Sequence, residues 1–136
     1  MFQPAGTTDQ SRENKEIVRQ LVEKVLGQGH LELLPDLVAD EYIGHLTSGD
    51  LYGPGGMRVE VSTYRRAFPD LTVTVDELLV EGDKVARRFT LRGTHRGAFL
   101  GVPASGQTVM LRGIAIDRLS GGQLVESWIQ IDDLPR

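Results

Sequence analysis

Residues able to do chemistry are few and widely spaced in this chain. Histidines stand only at positions 30, 45 and 95, with no H-x-H or H-x-x-x-H pair, so no local metal-binding motif is present. Cysteine is absent, which excludes a thiol nucleophile and thiolate-bound zinc or iron–sulfur centres. What remains is proton transfer by carboxylate, imidazole or phenol, with Asp76, Asp117, Asp132, Asp133, His45 and Tyr42 as candidates. Asp117 closes an alternating run in which it shares a strand face with Ala115 and Gly113. It either works at a site on that face or pairs with Arg118 or Arg88 near a strand end. Asp132 stands where strand gives way to tail, a position suited to capping. Gly53-Pro-Gly-Gly56 lacks the lysine and Ser/Thr of a phosphate loop, and a helix-entry turn accounts for it.

The elements that must position these groups follow from periodicity. Ile17, Val18, Leu21, Val22, Val25 and Leu26 repeat at three and four, predicting an amphipathic helix from an N-cap at Ser11 to a stop at Gly27 or Gly29. A short second helix carries Leu31, Leu34, Leu37 and Val38, with Pro35 confined to its first turn. Glu41 to His45 reads as a short extended segment. Met57, Val61, Tyr64 and Phe68 mark a third helix that ends at Pro69-Asp70. From Leu71 the helical period gives way to alternation, with turns at Glu81-Gly-Asp-Lys84 and Ser120-Gly-Gly-Gln123 and a longer loop between two strands at 96–106. Val85, Arg87, Phe89 and Leu91 fall on one strand face and Ala86, Arg88, Thr90 and Arg92 on the other. Arginine on both faces means that one face borders a wet cavity, a sheet edge or a subunit contact, unless these arginines line solvated strand ends.

Helices followed by hairpin-linked strands predict an α+β domain, a curved antiparallel sheet of four or five strands with helices on one face. Three helices are too few to cover such a sheet, so the shape is a cone with a pocket between the layers. At 136 residues the chain fits one domain, taken as residues 11–136 after a flexible polar tail at 1–10. A formal charge of −4 with scattered basic residues leaves no electrostatic footprint for nucleic acid or an anionic membrane. No stretch approaches the ~20 apolar residues of a membrane span and no signal peptide is recognisable, so a cytoplasmic protein is expected.

Seven segments carry a resemblance: Asn14 to Val18, Gly27 to Leu34, Ala67 to Leu71, Glu81 to Val85, Arg92 to Gly97, Phe99 to Pro103, and Val125 to Trp128 with Asp132. In order and spacing, over about residues 14 to 133, they resemble the SnoaL-like polyketide cyclases of the NTF2-like superfamily. The resemblance implies the cone, a pocket at its open end and a homodimer formed through the sheet. It also implies ring closure of an aromatic polyketide by intramolecular aldol condensation with no metal or organic cofactor. Other members of the superfamily hydrolyse epoxides, isomerise steroids or only bind.

Carried over position by position, the family's acid/base aspartate falls on Ile129, its assisting histidine on Ala115 and its asparagine near Gly44. Isoleucine neither takes nor gives a proton, so any chemistry needs replacement groups. Those expected are Asp117 and His45 as the catalytic pair, with Tyr42 and Arg88 beside them and Ala115, Ser127, Ile129 and Ile131 lining a mostly apolar wall. His95, in the family's G-T-H segment, is expected to serve structure at a turn. Two function classes follow: a cofactor-independent cyclase, isomerase or hydrolase for a small hydrophobic oxygenated molecule, or a non-catalytic binding module or dimeric scaffold.

Overall fold

The computed structural model describes residues 9–134. Of the expected tail, residues 1–8 lie outside the described residues. Asp9 and Gln10 instead form the first turn of helix α1, Asp9–Gln20. Ser11 is therefore inside the helix rather than its cap, and it is buried. The helix continues through a π-helical segment, Leu21–Leu26. It stops where Gly29, at a φ of 78°, donates its N–H to the Val25 carbonyl.

A 3₁₀ turn, Leu31–Leu33, leads into the one-turn helix α2, Leu34–Leu37, with Pro35 in its first turn as its missing N–H requires. Strands β1, Val38–Leu46, and β2, Gly49–Tyr52, form a hairpin. Helix α3, Gly53–Ala67, starts at the Gly-Pro-Gly-Gly breaker. Four long strands follow: β3 Thr72–Glu81, β4 Lys84–Thr94, β5 Thr108–Ser120 and β6 Gln123–Ile131.

These strands make one six-stranded sheet in the order β2-β1-β6-β5-β4-β3. The expected all-antiparallel sheet is corrected at one pair, for β1 runs parallel to β6. A parallel neighbour needs a long connection, and here it consists of β2, α3 and the β3–β5 meander. The sheet also gains a strand, because β2 is too short and polar to stand out by alternation. Helices cover one face. The other exposes Leu79, Met110, Ile114, Ile116 and Trp128.

Alternation on β4 is realised as read. Val85, Arg87, Phe89 and Leu91 are all buried on the helix side, while Arg88 and Arg92 are exposed. Opposite Phe89, Gly113 leaves room for the ring, since a Cβ there would stand 2.3 Å from the ring's Cζ. Phe89 thus lies flat against the sheet and keeps the space above it open.

The open end is fixed by the chain between α3 and β5. Asp70 accepts the Thr94 N–H and hydroxyl, both at 2.7 Å, and these bonds hold its carboxyl below the ordinary range. The N–H groups of Arg96 and Gly97 both reach the Ala67 carbonyl, at 2.9 and 3.2 Å. Gly97 has to be glycine here, because a Cβ would lie 2.7 Å from the Arg66 carbonyl oxygen. The His95 ring is buried against Phe68, 5.4 Å between centroids, so this histidine packs under the loop. Among the described residues no helix is long and apolar enough to cross a membrane.

Candidate functional site

Because the helices span less of the sheet than its length, a cavity remains between the layers. Its inner chamber, about 560 Å³ and open to solvent, is walled by Leu21 and Leu26, by Leu46 and Leu51, by Met57 and Val61 of α3, and by Phe89, Leu91, Ile129 and Ile131 of the sheet. Three polar side chains interrupt this surface: Arg87, Glu60 and Tyr64. An outer chamber of about 740 Å³ shares Leu46, Glu60, Tyr64, Ile129 and Ile131 with the first, and adds Thr47, Ser48, Phe99, Leu100, Asp132 and Asp133 at the rim. Leu100 reaches its place there through a positive φ of 48°, a conformation unfavourable for leucine.

A polar network lies in the cavity floor. Arg87 donates from Nε to Asp117 Oδ2 at 2.7 Å and from Nη2 to Oδ1 at 3.3 Å. Ser127 Oγ donates to the same carboxylate at 2.6 Å. All three residues are buried, Asp117 and Ser127 completely. The guanidinium also lies 4.9 Å from the centroid of Phe89, a cation–π contact that steadies it. With Nε and Nη2 engaged, Nη1 has no hydrogen bond among the described residues. Tyr42, on β1, completes the floor. Its buried hydroxyl sits near Ser127 and Asp117 without an aligned hydrogen bond among the described residues, and burial above all pushes the phenol up to about 12. Gly44 makes room for that hydroxyl, since a Cβ would stand 2.6 Å from it.

Glu60 has a different environment. It follows Met57 by three residues and precedes Tyr64 by four, so it shares the cavity face of α3. Among the described residues it has neither a hydrogen-bond donor nor a cationic partner. Burial raises its pKa above the ordinary 4.5. Its charge in turn helps raise both Tyr42 and Tyr64, after the larger effect of burial on each.

The residues expected from the sequence divide by sheet face. Asp117, Ala115, Ser127, Ile129 and Ile131 are on the cavity side, as alternation implied. Ile129 and Ile131 line both chambers and are half-buried. Tyr42, Ala115 and Ser127 are in the packed layer of the floor. Asp117 pairs with Arg87, not with Arg88 or Arg118. His45 and Arg88 are on the opposite face. His45 binds Glu126 at 2.8 Å and Asp50 at 3.2 Å and stacks on Trp128, 5.7 Å between ring centroids. The Glu126 bond, then that from Asp50, raises the His45 pKa. Arg88 meets Glu77 at 3.4 Å. Asp117 and His45 are thus not brought together, because on β1 it is Tyr42 and Gly44 that face inward and His45 alternates outward.

Glu60 and Arg87 were not foreseen as site residues. A signal existed for each: a carboxylate inside the apolar stripe of α3, and the single charge in the Val85–Leu91 ladder. Among the described residues no cluster of three His, Asp or Glu side chains is placed to hold a metal ion.

The sequence profile of the SnoaL-like polyketide cyclases matches residues 16–136. The chain belongs to the SnoaL-like polyketide cyclase family. Among curated proteins there is no significant match. Similar solved structures include a SnoaL-like protein of Jannaschia sp. CCS1 proposed to be a polyketide cyclase, 27% identical, TM-score 0.80, covering 89% of this chain and 86% of that one. Another is IdmH of Streptomyces antibioticus, also a proposed polyketide cyclase, 31% identical, TM-score 0.76, with coverage of 88% and 91%. A third, AclR of Streptomyces galilaeus, is a proposed hydroxylase, 26% identical, TM-score 0.77, with coverage of 89% and 76%. The family therefore fixes the NTF2-like fold, while the chemistry must be argued from this chain's own cavity.

Two expectations follow from this geometry. Asp117→Ala leaves the buried Arg87 charge unpaired and should destabilise the fold by ~3–5 kcal/mol. Combined with Arg87→Met, the loss should be well below the sum of the single losses in urea denaturation. Glu60 gives a pH signature. Its pKa is raised in the fold, so the folded chain holds this proton more tightly than the unfolded one. Its contribution is fully present below pH 4.5 and is lost as pH climbs through the higher folded value. Glu60→Gln should therefore gain thermal stability over the parent as melting curves are taken from about pH 4 to pH 8. Parallel curves would show that the carboxyl is not desolvated.

Proposed function

We propose that the protein takes a small hydrophobic, oxygenated molecule into the inner chamber, and that it acts on it by cofactor-independent chemistry of the cyclase, isomerase or hydrolase kind. The observation that carries this is Arg87. Among the described residues it is the only cation on a mostly apolar wall, its charge is balanced by Asp117, and its Nη1 is left without a hydrogen bond among those residues. An N–H donor preorganised in a mostly apolar wall is suited to a carbonyl or enolate oxygen. Balancing by Asp117 keeps the site from favouring a free anion, so the preferred ligand is neutral with a polar end.

A second reading, a non-catalytic binding module, is supported by the state of Asp117, whose carboxylate is occupied by Arg87 and Ser127. Ile129, where the resemblance puts the family's acid/base, adds to that support. For assembly we propose a homodimer through the outer sheet face, where Ile114, Ile116 and Trp128 are 59%, 42% and 41% exposed, a contiguous apolar surface on adjacent strands. The cytoplasm is the proposed location.

The ligand reading is tested with 2-tetralone and tetralin, which share a skeleton and differ by the carbonyl. A hydrogen bond from a charged donor should make the ketone bind ~10-fold more tightly or better by calorimetry, although the hydrocarbon has the greater drive to leave water. Equal affinity would remove Arg87 as the oxygen contact. For assembly, light scattering should give twice the mass of the chain at micromolar concentration, and Trp128→Glu should shift it toward the monomer. A monomeric parent protein refutes the dimer.

A further inference from the structure

Glu60 remains without a structural task. Among the described residues it is the one carboxylate on the wall of the inner chamber, and it also borders the outer one. The other acids of the cavity are engaged or peripheral. Asp117 is held by Arg87 and Ser127, Asp132 accepts the Arg112 N–H at 3.0 Å, and Asp133 is exposed at the rim. A half-buried carboxylate with no partner weakens the fold that holds it. An isosteric glutamine would avoid that cost. Such a group is retained where its proton is used.

We infer that Glu60 is the proton-transferring catalytic residue of this protein, acting from α3 on a carbon next to the carbonyl of a hydrophobic ketone whose oxygen is held by Arg87. The inference rests on the cavity being a site for an oxygenated hydrophobic ligand. The two groups belong to different layers, Glu60 to the helix wall and Arg87 to the sheet floor, and Ile129 and Phe89 line the same chamber. A ligand lying on those side chains presents its carbonyl end to the floor and its neighbouring C–H bonds to the helix.

The step balances without a co-reactant. The C–H bond breaks, the proton passes to the Glu60 carboxylate, and the electron pair shifts so that negative charge develops on the carbonyl oxygen, where the Arg87 N–H stabilises it. A proton then returns from Glu60. If the carboxyl has first traded its proton with solvent, delivery to the original carbon gives exchange; delivery to another carbon of the conjugated system gives isomerisation. If the enolate carbon first bonds to a second carbonyl carbon of the ligand, the proton goes to the new alkoxide and a ring is closed. In each case Glu60 ends as it began.

The ionisable groups facing Glu60 are Tyr64 on its own helix, Arg87 on β4 and Tyr42 on β1, with Asp132 and Asp133 beyond β6 at the outer rim. The phenols stay protonated, Tyr42 at about 12 and Tyr64 raised further. Glu60 is therefore the chamber acid whose titration burial moves upward from the ordinary 4.5.

Deuterium exchange at the α-carbons of 2-tetralone in D₂O, followed by NMR with binding measured in parallel, tests this. The parent protein should accelerate exchange over buffer, with a rate that rises with pH as Glu60 ionises and then levels. Glu60→Gln should bind 2-tetralone about as tightly, lose ~100-fold or more of the acceleration and lose the pH-dependent limb. Glu60→Asp, a carboxylate set back by one methylene, should recover part of the rate. Exchange as fast in Glu60→Gln as in the parent, or no acceleration by a parent protein that binds the ketone, overturns the assignment and leaves the pocket reading standing. Absence of binding to parent and variant alike overturns both.

Discussion

The buried Arg87–Asp117 pair is the constraint on which the cavity depends. Both charges lie in the layer between sheet and helices, where desolvation costs several kcal/mol per ion and is offset only by near-complete pairing. Asp117 receives three donated hydrogen bonds, two from Arg87 and one from Ser127. These tie β4, β5 and β6 together across one register line, with Val85, Asp117 and Ser127 opposite one another. Neither charge is free to move without exposing the other. The guanidinium is therefore a fixed dipole in the floor, further held by the face of Phe89, and Phe89 in turn lies flat because Gly113 has no side chain. Floor depth, ring orientation and the direction of the N–H donors follow from one another.

The walls obey a different rule. Apolar residues of α1, α3 and the sheet seal the closed part of the cone, but beyond them the helices run out and the sheet continues. The loop at 95–107 covers part of that gap, anchored by Asp70 to Thr94 and by Ala67 to Arg96 and Gly97. The Gly-Thr-His-Arg-Gly segment serves this anchoring. Its glycines permit backbone contact with the end of α3, and its histidine fills space beneath the loop with a ring packed on Phe68. Its contribution to the site is thus to place Phe99 and Leu100 at the rim.

Much of this was legible in the sequence wherever one periodicity dominated. Alternation in β5 put Ala115 and Asp117 on the inner face and grouped Arg87 with Val85, Phe89 and Leu91 on β4, although Arg88 rather than Arg87 was expected at the cavity. What escaped depended on partners distant in the chain. Nothing local to Val38–Leu46 says that it will lie parallel to β6, and β2 is a strand only because β1 is beside it. The inward phase of β1 is set by Tyr42 packing over Gly44, so His45 turns out toward Glu126 and Trp128 although it is the more reactive residue. Asp117 was seen on the right face, but its expected partners were Arg118 and Arg88, whereas the one that shares its side of the sheet is Arg87. Glu60 was passed over because a helical stripe is traced through its apolar members, and the charged residue among them looks like an interruption.

That interruption bears on how a fold of this kind changes its chemistry. A proton-transfer group must come within ~3 Å of the ligand, but it need not reach it from a particular wall. The cone offers two walls of comparable reach, the sheet through β5 and β6 and the helix layer through α3. With an isoleucine at 129 the sheet wall contributes only apolar surface, and a carboxyl there would compete with Asp117 for the donors of Arg87 and Ser127. On α3, one helical turn before Tyr64, a carboxyl meets no such competition and is desolvated by the apolar residues that line the cavity. Under the proposed reading, an acid on the helix rather than the strand is separated from the floor's ion pair, so that Arg87 would hold oxygen and Glu60 would move the proton from the other side of the cavity.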